Sequence, residues 1–157
     1  MSTLIRRRKI VVDDWLRLPA EARAAPAAGK LIVPLALWRE RSGALLWRRR
    51  PLGVWLDAHD DPADIAEDLW CFEVVALAFD RFSDGRAYSS ARLLRGRHGW
   101  RGELRAIGDI GRDQLLFLER VGFDAFELRE GADPRAALAA FCELPDTHPA
   151  FRRRQAA

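Results

Sequence analysis

The run Val74-Val75-Ala76-Leu77-Ala78-Phe79 constrains this chain more than any other stretch. Its apolar residues follow one another without a break between Glu73 and Asp80, so neither face of a strand built from them can turn to water. A strand covered on both sides is the habit of parallel sheets flanked by helices. The neighbouring segments repeat the theme. Gly53-Val54-Trp55-Leu56 predicts a strand, and Asp61-Pro62 supplies an N-cap and a first helical residue for a helix edged by Ile65 and Leu69. The Val74–Phe79 strand is followed by a helix from Arg86 to about His98, which Gly99 closes. Glu103–Ile107 is a third strand, and Asp109 can cap the helix carrying Leu115, Leu118 and Val121 up to Gly122. Phe123–Leu128 is a fourth strand, and Asp133-Pro134 repeats the earlier cap ahead of Leu138 and Phe141.

The expected class is therefore α/β: four consecutive β-α units in a parallel sheet with right-handed crossovers. Lys9–Val12 and Lys30–Val33 add N-terminal strands, and Pro34 opens a helix through Trp38 and Leu45 that Gly43 weakens. A full eight-stranded barrel needs about 250 residues, so the expectation is an open sheet or a half-barrel, with a second copy of the chain as one way to complete it. The 157 residues read as one domain, with a regular core over about 53–143 and an irregular tail over about 145–157.

Ligands of parallel sheets gather at the strand carboxyl ends, and helix N-termini there favour anions. That rule selects the loop Phe82-Ser83-Asp84-Gly85-Arg86 and the helix it opens. The candidate ligand-binding residues are Asp84, Gly85, Arg86, Tyr88, Ser89 and Arg92 there, with Asp109, Arg112, Asp113 and Gln114 after the next strand. Arginine forks beside free backbone N–H groups suit sulfate, sulfite, phosphate or a carboxylate. The same residues also serve as ordinary caps and internal ion-pair partners. Asp57, Asp80, Asp109 and Glu127 form a conceivable but poor metal set, with no histidine among them. No catalytic residue and no metal site is assigned.

Other classes find less support. Cys71 and Cys142 stand far apart and read as packing residues, without the spacing of a zinc site, a redox pair or an iron–sulfur cluster. A reducing cytosol is the expected compartment. No apolar run approaches the roughly 20 residues that span a bilayer. Arg6-Arg7-Arg8-Lys9, Arg48-Arg49-Arg50 and Arg152-Arg153-Arg154 read as solvated ends rather than one nucleic-acid face, and the formal charge is only +3. The glycine-rich run Gly96–Gly102 follows a helix, so it lacks the setting of a dinucleotide fingerprint. Redox chemistry needs a cofactor or a thiol pair, and the sequence names neither, so the cofactor stays open. Among six tryptophans, Trp100 between Gly99 and Arg101 is a candidate interface anchor.

Several ordered blocks carry a resemblance. They are Gly53-Val54-Trp55-Leu56, Asp84-Gly85-Arg86-x-Tyr88-Ser89-x-Ala91-Arg92, Gly102-Glu103-Leu104-Arg105-Ala106-x-Gly108-Asp109, Arg112-Asp113-Gln114 and Gly122–Leu128. Over roughly residues 30–130 the chain resembles a bacterial family of unknown function. Its genes commonly lie beside those of sulfite reductase, and its members are labelled a probable oxidoreductase in sulfite reduction. The resemblance implies a component of assimilatory sulfite reduction, with sulfite reductase or another sulfur-assimilation protein as partner. A carrier, assembly or docking role fits as well as a catalytic one. The alternative is a small enzyme or binding protein that holds a sulfur or phosphorus oxyanion at the strand carboxyl ends.

Overall fold

The computed structural model describes residues 2–80 and 85–143. Eight strands form one sheet: β1 (Ser2–Arg6), β2 (Lys9–Asp13), β3 (Trp15–Arg17), β4 (Lys30–Pro34), β5 (Leu52–Leu56), β6 (Val74–Phe79), β7 (Glu103–Gly108) and β8 (Ala125–Glu127). Their order is β2-β1-β8-β7-β6-β5-β4-β3. Strands β3 to β8 lie side by side in chain order and run parallel, whereas β1 is antiparallel to both β2 and β8.

The two outermost strands, β2 and β3, are separated in the chain by Asp14 alone. One residue cannot bridge the width of an open sheet, so the sheet must curl until its margins meet. Register bears this out. Paired residues lead from Lys9 through Arg6, Ala125, Arg105, Ala76 and Trp55 to Pro34. Extending the β3–β4 pairing then returns to the starting strand about ten residues further on, the stagger of a tilted, nearly closed barrel. The segment 9–17 thus serves two neighbours, β1 with its first half and β4 with its second. The sheet curls further round than the expected open sheet or half-barrel, because the 250-residue rule assumes a helix after every strand. Here a two-residue hairpin joins β1 to β2, and one residue joins β2 to β3.

The helical layer also departs from four equal strand–helix units. Leu18–Gly29 crosses from β3 to β4 without a helix. Helix α1 (Leu35–Trp47) bends at Arg41, two residues before Gly43. The segment after β5 is a 3-10 helix over Pro62–Cys71, although Asp61 caps it as expected by accepting from the Ala63 N–H. Helix α2 (Arg86–Arg92) widens into a π-helical turn over Leu93–Arg97 before Gly99 turns the chain. Helix α3 (Leu115–Val121) ends at Gly122, and α4 (Pro134–Ala139) starts from the Asp133 cap. The Ser83 and Asp84 caps and the tail from 144 lie outside the described residues.

Alternation sorts the strands into two faces. The outer face carries Leu31, Val33, Val54, Val75, Leu77, Leu104, Ala106 and Phe126 into the main core against the helices. The inner face holds a smaller apolar cluster of Ile32, Val74, Ala76 and Ile107, with Trp15, Trp55 and Ala78 beside it. Leu4 and Ala125 are also buried on this face, and several of the other inward positions are charged. Arg105, 1 % exposed, donates from Nη1 to Asp13 at 2.8 Å and from Nε to Glu103 at 2.9 Å. Its Nη2 also lies 2.8 Å from Glu103, an ion contact without hydrogen-bond alignment. Arg17 of β3 donates to Glu127 of β8 at 2.8 Å, a contact an open sheet would forbid.

Replacing Arg105 with Met leaves the carboxylates of Asp13 and Glu103 without their buried counter-charge. Urea unfolding should show a loss of about 3–5 kcal/mol, the cost of breaking a buried pair on one side.

Candidate functional site

The parallel strands deliver their carboxyl ends to one rim. After β6 and the segment outside the described residues, Gly85 precedes α2 in helical geometry. Arg86 Nη1 stands 3.1 Å from His59 Nδ1. A guanidinium only donates, so Nδ1 accepts and the imidazole hydrogen sits on Nε2. Tyr88 rests edge-on against Phe79 and tilts over Phe117. Its hydroxyl accepts from Gln114 Nε2 at 3.2 Å, while buried Gln114 Oε1 accepts from the Gly111 N–H at 2.8 Å. Gln114 therefore locks the loop after β7 to α2, and the 3-10 turn Arg112–Gln114 leads into α3. The helical start is thus capped at Gly111 rather than at Asp109.

The other candidates do not converge on this link. Arg112 pairs with Glu143 and Asp109 faces Arg129 at 3.8 Å, both on the surface. Ser89, Arg92 and Asp113 are exposed, and Asp84 lies outside the described residues. The carboxylates weighed as a metal set go separate ways: Glu127 to Arg17, Asp109 to Arg129, and Asp57 to the backbone N–H groups of His59 and Asp60. Among the described residues no three His, Cys, Asp or Glu side chains gather as a metal centre requires. No helix among them is long and apolar enough to cross a membrane.

Two features of the rim were not visible in the sequence. Gly108 has φ +95°, and a Cβ there would lie 2.5 Å from the Phe79 carbonyl oxygen. Its conformation lets the Asp109 N–H reach that oxygen at 2.8 Å, tying the ends of β6 and β7 together. In the loop after β5, Asp60 accepts from the Asp57 N–H, and burial pushes its carboxyl above the usual carboxylate range. Burial likewise raises the Cys71 thiol, the half-buried member of a free pair whose other member, Cys142, is exposed rather than packed. Trp100 is no surface anchor: it is 7 % exposed, with its indole N–H donated to the Glu103 carbonyl.

A concavity open to solvent lies elsewhere. A cavity of about 330 Å3 opens at the amino ends of β7 and β8, lined by Arg6, Arg7, Lys9, Val11, Glu103 and Asp124. The signal for it was the run Arg6–Lys9 between two alternating segments, which reads as a free basic end until the hairpin is seen.

The profile of a family described as bacterial proteins of unknown function (DUF934) matches residues 53–155. The chain belongs to this family. Searches of curated proteins and of solved structures return no match. The family segment begins at Gly53 in β5 and so contains the Tyr88–Gln114 link, Glu103 and Arg105. Asp13, Arg17 and the β1–β2 hairpin lie ahead of it.

Gly108→Ala should cost about 1–3 kcal/mol in thermal or urea melts, because the new Cβ meets backbone that cannot step aside. Asp60 titrates with the opposite sign to most carboxylates. Its folded form holds the proton more tightly than the unfolded chain, so its contribution falls as pH rises through the carboxylate range. Asp60→Asn should equal or exceed the parent in stability at pH 7, with the difference shrinking as pH falls toward about 4. A variant less stable at pH 7 than at pH 4, relative to the parent, contradicts that sign.

Proposed function

We propose that the protein is an accessory component of assimilatory sulfite reduction that acts by docking on a partner, with sulfite reductase the first candidate. The observation that carries the reading is the state of the carboxyl-end rim. Among the described residues, Arg112 is matched with Glu143 and Asp109 with Arg129 on the surface, and Arg92 and Asp113 are exposed beside them. A rim of exposed, partly paired charges suits a polar protein contact, where such groups steer and orient more than they bind. Away from the rim, towards the amino ends of β5 and β6, Trp47 and Trp70 are each 79 % exposed and supply the large aromatic surfaces that protein interfaces favour. The family's oxidoreductase label is then understood as belonging to the assembly the chain joins. The cytoplasm is the proposed compartment.

A second reading keeps the rim as an oxyanion site. The observation in its favour is Arg86 at the start of α2, exposed and near His59. Under it, sulfite, sulfate, thiosulfate or phosphate raises the melting temperature and Arg86→Ala abolishes the effect. The docking reading expects Arg86→Ala to leave such melts unchanged.

A deletion strain tests the proposal directly. Growth should fail on sulfate and sulfite as sole sulfur source and recover on sulfide and cysteine, and tagged protein should retain sulfite reductase subunits in mild salt. Normal growth on all four sources, with no co-purification, removes the role.

A further inference from the structure

The cavity at the amino ends of β7 and β8 is built with local features that work against stability. Arg7 and Arg8 form the two-residue turn between β1 and β2, with φ of 48° and 59°. A turn with both central residues left-handed is the type I′ hairpin, whose favoured residues are Asn and Gly. Two arginines there carry backbone strain that side-chain chemistry must offset. The turn also sets Arg6 directly opposite Lys9, a like-charged cross-strand pair on one face. Local conflicts of this kind concentrate where a chain serves a function.

The carboxylates of the cavity answer its three cations only in part, because each is shared with a further arginine: Glu103 holds Arg105 with one oxygen and accepts from Arg6 with the other, and Asp124 lies about as far from Arg95 as from Arg7. Glu103 meets Arg105 at 2.8 Å and Arg6 only at 3.5 Å. Asp124 accepts from the Leu104 N–H at 2.8 Å, faces Arg95 at 3.6 Å, and lies 3.7 Å from Arg7. Arg8 turns away and forms a two-pronged pair with Glu119 at 2.9 and 2.7 Å. Arg6, Arg7 and Lys9 are therefore left around one concavity of about 330 Å3 with excess positive charge. That volume is at the small end of ligand sites.

We propose that this amino-end cavity binds a phosphate or sulfate group, free or carried on a small organic body, through Arg6, Arg7 and Lys9. A tetrahedral dianion seated between Arg6 and Lys9 replaces their mutual repulsion with charge-assisted hydrogen bonds. The hairpin turn holds Arg7 over the same opening. This site lies at the opposite end of the strands from the rim and does not depend on the docking proposal.

The test uses the full chain, with calorimetric titration and melts in sodium phosphate and in sodium sulfate against sodium chloride at equal ionic strength. Phosphate or sulfate should bind and raise the melting temperature beyond chloride. Arg6→Gln and Lys9→Gln should each weaken binding at least tenfold, while Arg8→Gln and Arg86→Ala retain it. In anion-free buffer Lys9→Gln should melt no lower than the parent, since it removes a repulsion. Equal effects of chloride, or unchanged affinity in both Arg6→Gln and Lys9→Gln, overturn the proposal. So does binding that only a duplex oligonucleotide supports, which would make the hairpin a nucleic-acid contact instead.

Discussion

The ion group of Arg105, Asp13 and Glu103 is the constraint on which the rest of the structure depends. Asp13 ends β2, and its other carboxylate oxygen accepts from the Trp15 N–H as the chain steps into β3. The residue that receives Arg105 from across the interior thus also shapes the single-residue passage between the outermost strands. A purely apolar interior would leave that passage without a fixed partner. Charge pairs buried in this way do little for net stability, but they are strict about geometry. Here the geometry they select is the nearly closed one.

Closure in turn decides what each end of the strands can be. At the carboxyl ends, Gly108 and Gln114 tie β6, β7 and α2 into a rim on whose surface Arg112 and Asp109 are paired. At the amino ends, the hairpin folds its cations over a hollow whose carboxylates are already engaged. The interior between them is neither empty nor uniformly apolar. Arg17 with Glu127, and Arg105 with Asp13 and Glu103, form successive charged layers inside a sleeve of aliphatic residues. The apolar outer face, by contrast, follows the ordinary logic of a sheet under helices.

Much of this was legible in the sequence wherever one residue's chemistry settles the matter. Val74–Phe79 could only be a strand buried on both faces, and Asp61-Pro62 and Asp133-Pro134 mark caps because their side chains satisfy the first helical N–H groups. The parallel order from β5 to β8 follows from the same alternation. The seam did not announce itself. Asp13-Asp14-Trp15 looks like the end of a strand, and Glu103-Leu104-Arg105 looks like one with a wet face, because alternation cannot distinguish solvent from a polar barrel interior. Arg7-Arg8 lacks the Asn-Gly chemistry of a tight hairpin, so β1 went unseen. The Tyr88–Gln114 link joins residues that only the packing of α2 on the following loop brings together. The strand-end rule points to the rim, but rules about strand ends say nothing of a hollow formed by an antiparallel hairpin.

The pairing of β1 with β8 also bears on how the molecule comes into being. Leu4 aligns with Glu127, so β1 must wait for a segment far along the chain before it finds its neighbour. Contacts so distant along the chain are closed late and slowly, after shorter loops have formed. The hairpin of β1 and β2 can assemble early on its own, but alone it is at best marginal in water. During synthesis the parallel strands β4 to β7 can therefore organise first. The barrel is then sealed from the N-terminal side, when β8 offers its free edge to β1 and Asp13 meets Arg105.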